Sequence, residues 1–104
     1  MYQVVLVTFA NNQEALEIGK ILIKEKLAAC INVLPVMTSI YQWKDELKID
    51  DEVQMIIKTK SDRFEQLSTR ISELHSYEFA EIIALEISKG NSSYLNWIKE
   101  SLDV

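Results

Sequence analysis

The sequence predicts an α+β domain in which an antiparallel sheet carries its helices mainly on one face. Three observations lead there. Continuous or alternating apolar runs with β-branched residues recur four times along the chain. Apolar residues at spacings of three and four separate them twice, and a third such run follows the last. The chain has 104 residues, enough for a single domain spanning 1–104 and too few for two.

In order, Val4 to Phe9 is an unbroken apolar run ending at Asn11-Asn12, which suits a central strand buried on both faces. Asn11 or Asn12 then caps a first helix over about 13–26, with Glu14 in its first turn. Ala15, Ile18, Gly19, Leu22, Ile23 and Leu27 share one face of it. Leu27 to Trp43 reads as one long strand kinked near Pro35, because proline cannot donate to a ladder. Its far half projects beyond a domain this small and needs a pairing partner. Lys44-Asp45-Glu46 is a polar turn, and Leu47-Lys48-Ile49 folds back on Tyr41-Gln42-Trp43. Asp50-Asp51-Glu52 reads as an interruption before a strand from Val53 to Lys60. Ser61 or Asp62 caps a second helix whose stripe is Phe64, Leu67, Ile71 and Leu74. Glu81 to Ile87 is the last strand. Asn91 or Ser92 caps a final helix expected to bury Tyr94, Leu95, Trp97, Ile98 and Leu102.

The order β-α-β-β-α-β plus a C-terminal helix is the split βαβ, ferredoxin-like arrangement. One short helix covers only part of the second sheet face, so subunit contacts are expected.

Composition removes several function classes. Sixteen acidic residues outweigh eleven basic ones, and no basic stripe exists, so nucleic acid is not an expected partner. No apolar stretch reaches the eighteen residues of a membrane span, and the N-terminus lacks a signal pattern. A lone cysteine forms no internal disulfide. A cytoplasmic protein is the expectation. There is no P-loop, GxSxG, GxGxxG, HxH, CxxC or HExxH pattern, so an enzyme is not expected.

AACINVLP, TSIYQW, VQMIIKT, the LH-Y-E-EIIAL pattern over 74–85 and GNSSYLNWI agree in register over roughly Val4 to Leu102. Together they resemble the CutA family of divalent-cation tolerance proteins. The resemblance implies a homotrimer built by intersubunit β-pairing, similar in plan to the PII signalling proteins. It also implies a role in tolerance of divalent cations, copper especially, with copper binding attributed to some members. A signalling or protein-anchoring role, with an unidentified protein partner, has been proposed for the family, and no catalytic reaction is established. Two departures stand out. Ser76 and Ala80 replace two prolines of the family's His-Pro-Tyr-Glu loop, which loosens that backbone. Val7 and Leu74 stand where copper-binding members carry a cysteine and a second histidine.

The candidate residues each have two readings. Cys30 is a small buried hydrophobe, or a soft ligand for copper or another divalent cation. As a ligand it needs symmetry copies or His75, since one thiol does not close a site. His75, the only histidine, either fixes the loop after the second helix or ligates metal. Tyr41 and Trp43 on the projecting strand are expected trimer-interface anchors. Lys58, Tyr77, Glu78 and Glu81 either line an intersubunit cleft that takes a small ligand or are solvated and ion-paired.

Overall fold

A computed structural model describes residues 1–103. Five strands and three helices follow in the order β1 (Tyr2–Phe9), α1 (Asn12–Lys24), β2 (Cys30–Val33), β3 (Met37–Trp43), β4 (Glu46–Lys60), α2 (Phe64–Leu74), β5 (Ile82–Glu86) and α3 (Ser92–Leu102), with a 3₁₀ turn at Ser61–Arg63. The sheet order is β2-β4-β1-β5, with β3 paired to the free half of β4, and every pairing is antiparallel. This is the ferredoxin-like order, as the sequence predicts.

Strand pleating sorts the sheet into two faces. Val5, Val7 and Phe9 of β1 share one face with Val53, Met55 and Ile57 of β4, and all are buried. Onto it pack Ala15, Ile18 and Leu22 of α1 and Leu67 and Ile71 of α2, which together make the core. On the other face lie Val4, Leu6, Ile56, Ile83 and Leu85, none of them fully buried, with Leu85 53% exposed. The helix α3 buries Ile98 and Leu102 outside the main core, and Arg63 and Lys26 donate to its last carbonyls at 2.6 and 3.4 Å.

Pro35 divides the predicted long strand into two strands rather than kinking one. Leu34 to Val36 make no ladder, although Leu34 N–H still donates to Gln54 O at 2.9 Å. Asp50-Asp51-Glu52 does not interrupt anything. It lies inside the 15-residue β4, opposite Ser39, Thr38 and Met37. Ladder hydrogen bonding to β3 holds these residues extended, and that outweighs the poor strand propensity of aspartate. At about 3.2–3.3 Å per step, β4 with its 15 residues spans roughly 45 Å. It accounts for the elongated 45 × 26 × 23 Å shape.

The ends of the elements carry two surprises. Lys44 and Asp45 both have positive φ, 50° and 66°, so Trp43 and Glu46 are joined by a two-residue mirror-image turn with no glycine in it. At the end of α1, Lys26 (φ 62°) donates to Ile23 O at 3.1 Å and Leu27 to Leu22 O at 3.0 Å. That is a Schellman closure with lysine in the glycine position, kept in place by burial of Leu27. The N-cap of α1 is Asn11, whose Oδ1 accepts from Glu14 N–H at 2.9 Å, and that of α3 is Asn91. Neither Ser61 nor Asp62 caps α2; the 3₁₀ turn leads into it instead. Contrary to expectation, Ile23, Tyr94 and Trp97 are 40–44% exposed, and the last two rings stack on each other at 5.6 Å.

Candidate functional site

The loop between α2 and β5 meets the base of the β3–β4 hairpin, and the two enclose a cleft of about 730 Å³. Three pieces of backbone build it. Thr8 comes from the end of β1, Glu52 and Gln54 come from the middle of β4, and Ser76 to Phe79 with Glu81 come from the loop. Tyr41 and Trp43 close the hairpin side.

His75 organises the loop from beneath. It is 9% exposed, and its ring stacks on Phe9 with centroids 4.5 Å apart. Tyr77 N–H donates to Nδ1 at 3.0 Å, so Nε2 carries the proton and donates to Thr8 O at 2.7 Å. Both ring nitrogens are therefore engaged within the subunit, in the loop-fixing role. Glu14 of α1 holds the next residue twice, accepting from Ser76 N–H at 2.8 Å and from its hydroxyl at 3.1 Å. These bonds order the loop where the prolines are replaced.

With the loop placed, Tyr77 reaches across and its hydroxyl donates to Glu52 Oε2 at 2.6 Å. Burial, then the hydrogen bond to Glu52, raises the Tyr77 phenol well above its ordinary value. Glu52 is 7% exposed although it is charged and lies in the predicted interruption. Glu81 accepts from the Thr8 hydroxyl at 3.1 Å. Tyr41 donates to Asp50 on the paired strand, and this bond is the main cause raising its phenol. Trp43 and Phe79 approach at 6.1 Å with rings tilted 54°. The side-chain nitrogen of Gln54 is buried without a hydrogen-bond partner.

The structure thus brings Tyr41, Trp43, Tyr77, Glu78 and Glu81 to one cleft. It leaves Lys58 outside. Lys58 sits four residues along β4 from Gln54, opposite Cys30, and donates to Asn32. Cys30 is half-buried beside Tyr94, whose phenol is raised by burial and by that thiol. Cys30 and His75 lie apart in one subunit. In register they are separated by the span from Lys58 to Gln54, roughly 13 Å along β4, before any lateral distance. Among the described residues no three of the His, Cys, Asp and Glu side chains converge in a way that could hold a metal ion. Val7, at the position of the family's extra cysteine, is fully buried in the core.

Thr8 and Phe79 line the cleft without a sequence signal, and Glu52 and Gln54 also escape the sequence reading. Their signal was faint: a single acid and an amide two apart in a strand, on one face. An acid run reads as a solvated turn until its pairing partner is known.

The order of elements and the antiparallel pairing define the class, a split βαβ, ferredoxin-like α+β domain with a projecting hairpin and a lined cleft, and a fold of this kind does not by itself specify an activity. Residues 3–101 match the family model of the CutA1 divalent ion tolerance protein. The Divalent-cation tolerance protein CutA of Thermus thermophilus is 43% identical over 101 residues, 97% of this chain and 98% of that one. The chloroplastic Protein CutA of Arabidopsis thaliana is 38% identical over 98 residues, 94% of this chain, which spans 54% of that protein's length. The structure of the periplasmic divalent cation tolerance protein CutA from Archaeoglobus fulgidus superposes with a TM-score of 0.96 at 32% identity, covering 99% of this chain and all of that one. The chain belongs to the CutA1 divalent ion tolerance family.

Proposed function

We propose that the protein is a non-catalytic homotrimer that contributes to tolerance of divalent cations in the cytosol, through conditional binding of copper. The observation that carries the reading is the apolar surface left open by one subunit. Ile40, Leu47 and Ile49 on the hairpin are 63–72% exposed, and Ile83 and Leu85 leave the second sheet face uncovered. A lone two-stranded projection is marginal in water, whereas neighbours that bury it would stabilise it. Tyr41 and Trp43, each about 40% exposed, are the anchors in this assembly.

For copper, Cys30 supplies the thiolate and His75 an imidazole, the two coming from different subunits. His75 must then give up its bond to Thr8, which is why binding is conditional. The divalent-cation tolerance named for the family and for the Thermus thermophilus relative supports the role, and no helix among the described residues is long and apolar enough to cross a membrane. Sedimentation equilibrium tests the trimer, and a monomer at micromolar concentration overturns it. Titration with Cu(I) and Cu(II), repeated on Cys30→Ser and His75→Ala, tests the ligands. Binding unchanged in both variants sinks the assignment.

The cleft favours a second reading, a PII-like signalling or scaffold module that takes a small ligand and reports to a partner protein. Tyr77 and Glu81 line it and His75 acts by placing Tyr77, while Lys58, the fourth residue expected there, stands outside the cleft beside Asn32. A ligand of the folded state raises the melting temperature. A thermal-shift screen with nucleotides, small anions and small organic cations that moves nothing argues against it.

A further inference from the structure

We propose that the cleft between the hairpin and the 75–81 loop binds a small organic cation, an alkylammonium that carries an uncharged hydrogen-bond acceptor. This rests on the ligand-module reading and names its ligand.

Charge comes first. The cleft is lined by Glu52, Glu78 and Glu81 and by no lysine, arginine or histidine. An anion entering it meets only like charge, so nucleotides and phosphate are disfavoured. Two of the carboxylates are positioned in advance, Glu52 by the Tyr77 hydroxyl at 2.6 Å and Glu81 by the Thr8 hydroxyl at 3.1 Å. In each case one oxygen takes the internal bond and the other is left for a ligand.

The kind of cation follows from the walls. A bare divalent ion needs several hard ligands on one point, and the carboxylates here do not converge so. The open side is instead aromatic. Phe79 offers an exposed ring face beside the carboxylates, with Trp43, the assembly anchor, 6.1 Å from it. Ring faces attract bulky ammonium groups, which lose little hydration on entry. Trp43 already takes a cation in this structure, for the Lys44 ammonium lies 5.7 Å from its centroid.

The acceptor is set by Gln54. Gln54 lines the cleft, and its side-chain nitrogen is buried without a partner. A hydroxyl or carbonyl on the ligand completes it, while a carboxylate there would face the three glutamates. A cleft of about 730 Å³ leaves room for such a molecule and its water.

The test uses the full chain with choline, and with the uncharged analogue in which carbon replaces the quaternary nitrogen. Calorimetric titration is expected to show choline binding at least about tenfold more tightly. Glu52→Gln, which still accepts from Tyr77, is expected to weaken choline by at least about tenfold. Phe79→Ala removes a ring that is 70% exposed, so the fold is untouched, and choline weakens several-fold. Sedimentation of each variant checks that the assembly is unchanged. Equal binding of the two probes, or choline binding indifferent to both substitutions, overturns the proposal. If choline fails while inorganic phosphate or a nucleotide raises the melting temperature, the cation assignment falls and the ligand-module reading stands. If no probe shifts it, both fall.

Discussion

The two halves of β4 are one strand in two environments. From Val53 to Thr59 every second residue is buried in the core, at 3% exposure or less. From Glu46 to Asp51 no residue is buried on either face, and Leu47 and Ile49 stand in solvent. The ladder continues across the boundary regardless, to β1 on one side of it and to β3 on the other. Backbone pairing therefore sets the conformation of the strand, and burial sets where its stability comes from. Glu52, at the junction, is the last hairpin-facing residue and the first to be buried.

The largest break in this comparison is a core truncation. Phe9→Ala removes a fully buried ring from the strand beside the inner half and the surface on which His75 stacks. Urea denaturation at fixed protein concentration should show a loss of about 3–5 kcal/mol. The matched change in the outer half, Ile49→Ala, should cost within about 0.5 kcal/mol per subunit while shifting sedimentation toward smaller species. Equal costs would erase the distinction between the halves.

A second cut falls on the loop that packs against their junction through Tyr77 and Glu52. His75→Ala orphans the Thr8 carbonyl and the Tyr77 N–H and should cost about 2 kcal/mol by the same measurement. It should also loosen Tyr77, seen as faster amide exchange across 75–81.

At the junction the expectation is a pH effect. The Tyr77 phenol is raised in the folded state, so its contribution is whole below the ordinary tyrosine value of about 10. Above that value the unfolded chain ionises first, and the stability falls as pH rises toward the folded value. Tyr41 and Tyr94 are raised as well and add to the fall. Thermal melts of Tyr77→Phe from pH 8 to 11 should therefore decline less steeply than those of the parent. An identical slope would mean that Tyr77 is neither buried nor bonded to Glu52 in solution.

The smallest changes sharpen the contrast by stabilising each region. Lys26→Gly at the end of α1 and Asp45→Gly at the hairpin tip both relieve a positive φ, and each should add about 1 kcal/mol or less. The first should raise the global stability. The second should act mainly on amide exchange within the hairpin.

Much of the fold was legible because its signals are local. The apolar run of β1, the Asn11 and Asn91 caps and the Leu67–Ile71 stripe each need only a few neighbouring residues to declare themselves. The reading failed where a distant partner overrides local preference. Asp50-Asp51-Glu52 reads as a break because isolated acids disfavour strands, yet β3 pairs with all three. Lys26 and Lys44-Asp45 turn without glycine because Leu27 is buried on one side and the Trp43–Glu46 pair closes the other. Tyr94 and Trp97 were expected inside because they are aromatic; they pack on each other at the surface.

Of the candidate site, the sequence by itself determined the chemical inventory: one thiol, one imidazole, a loop with Tyr77, Glu78 and Glu81, and aromatic residues on a projecting strand. It also determined the order of elements, because periodicity and caps are short-range properties. Which of those groups share a cleft was decided only by the tertiary structure. Sheet register carries Lys58 and Cys30 to one end of β4, and the stack of His75 on Phe9 carries Tyr77 to Glu52 at the other. Register is a property of strands far apart in the chain, and no local pattern encodes it.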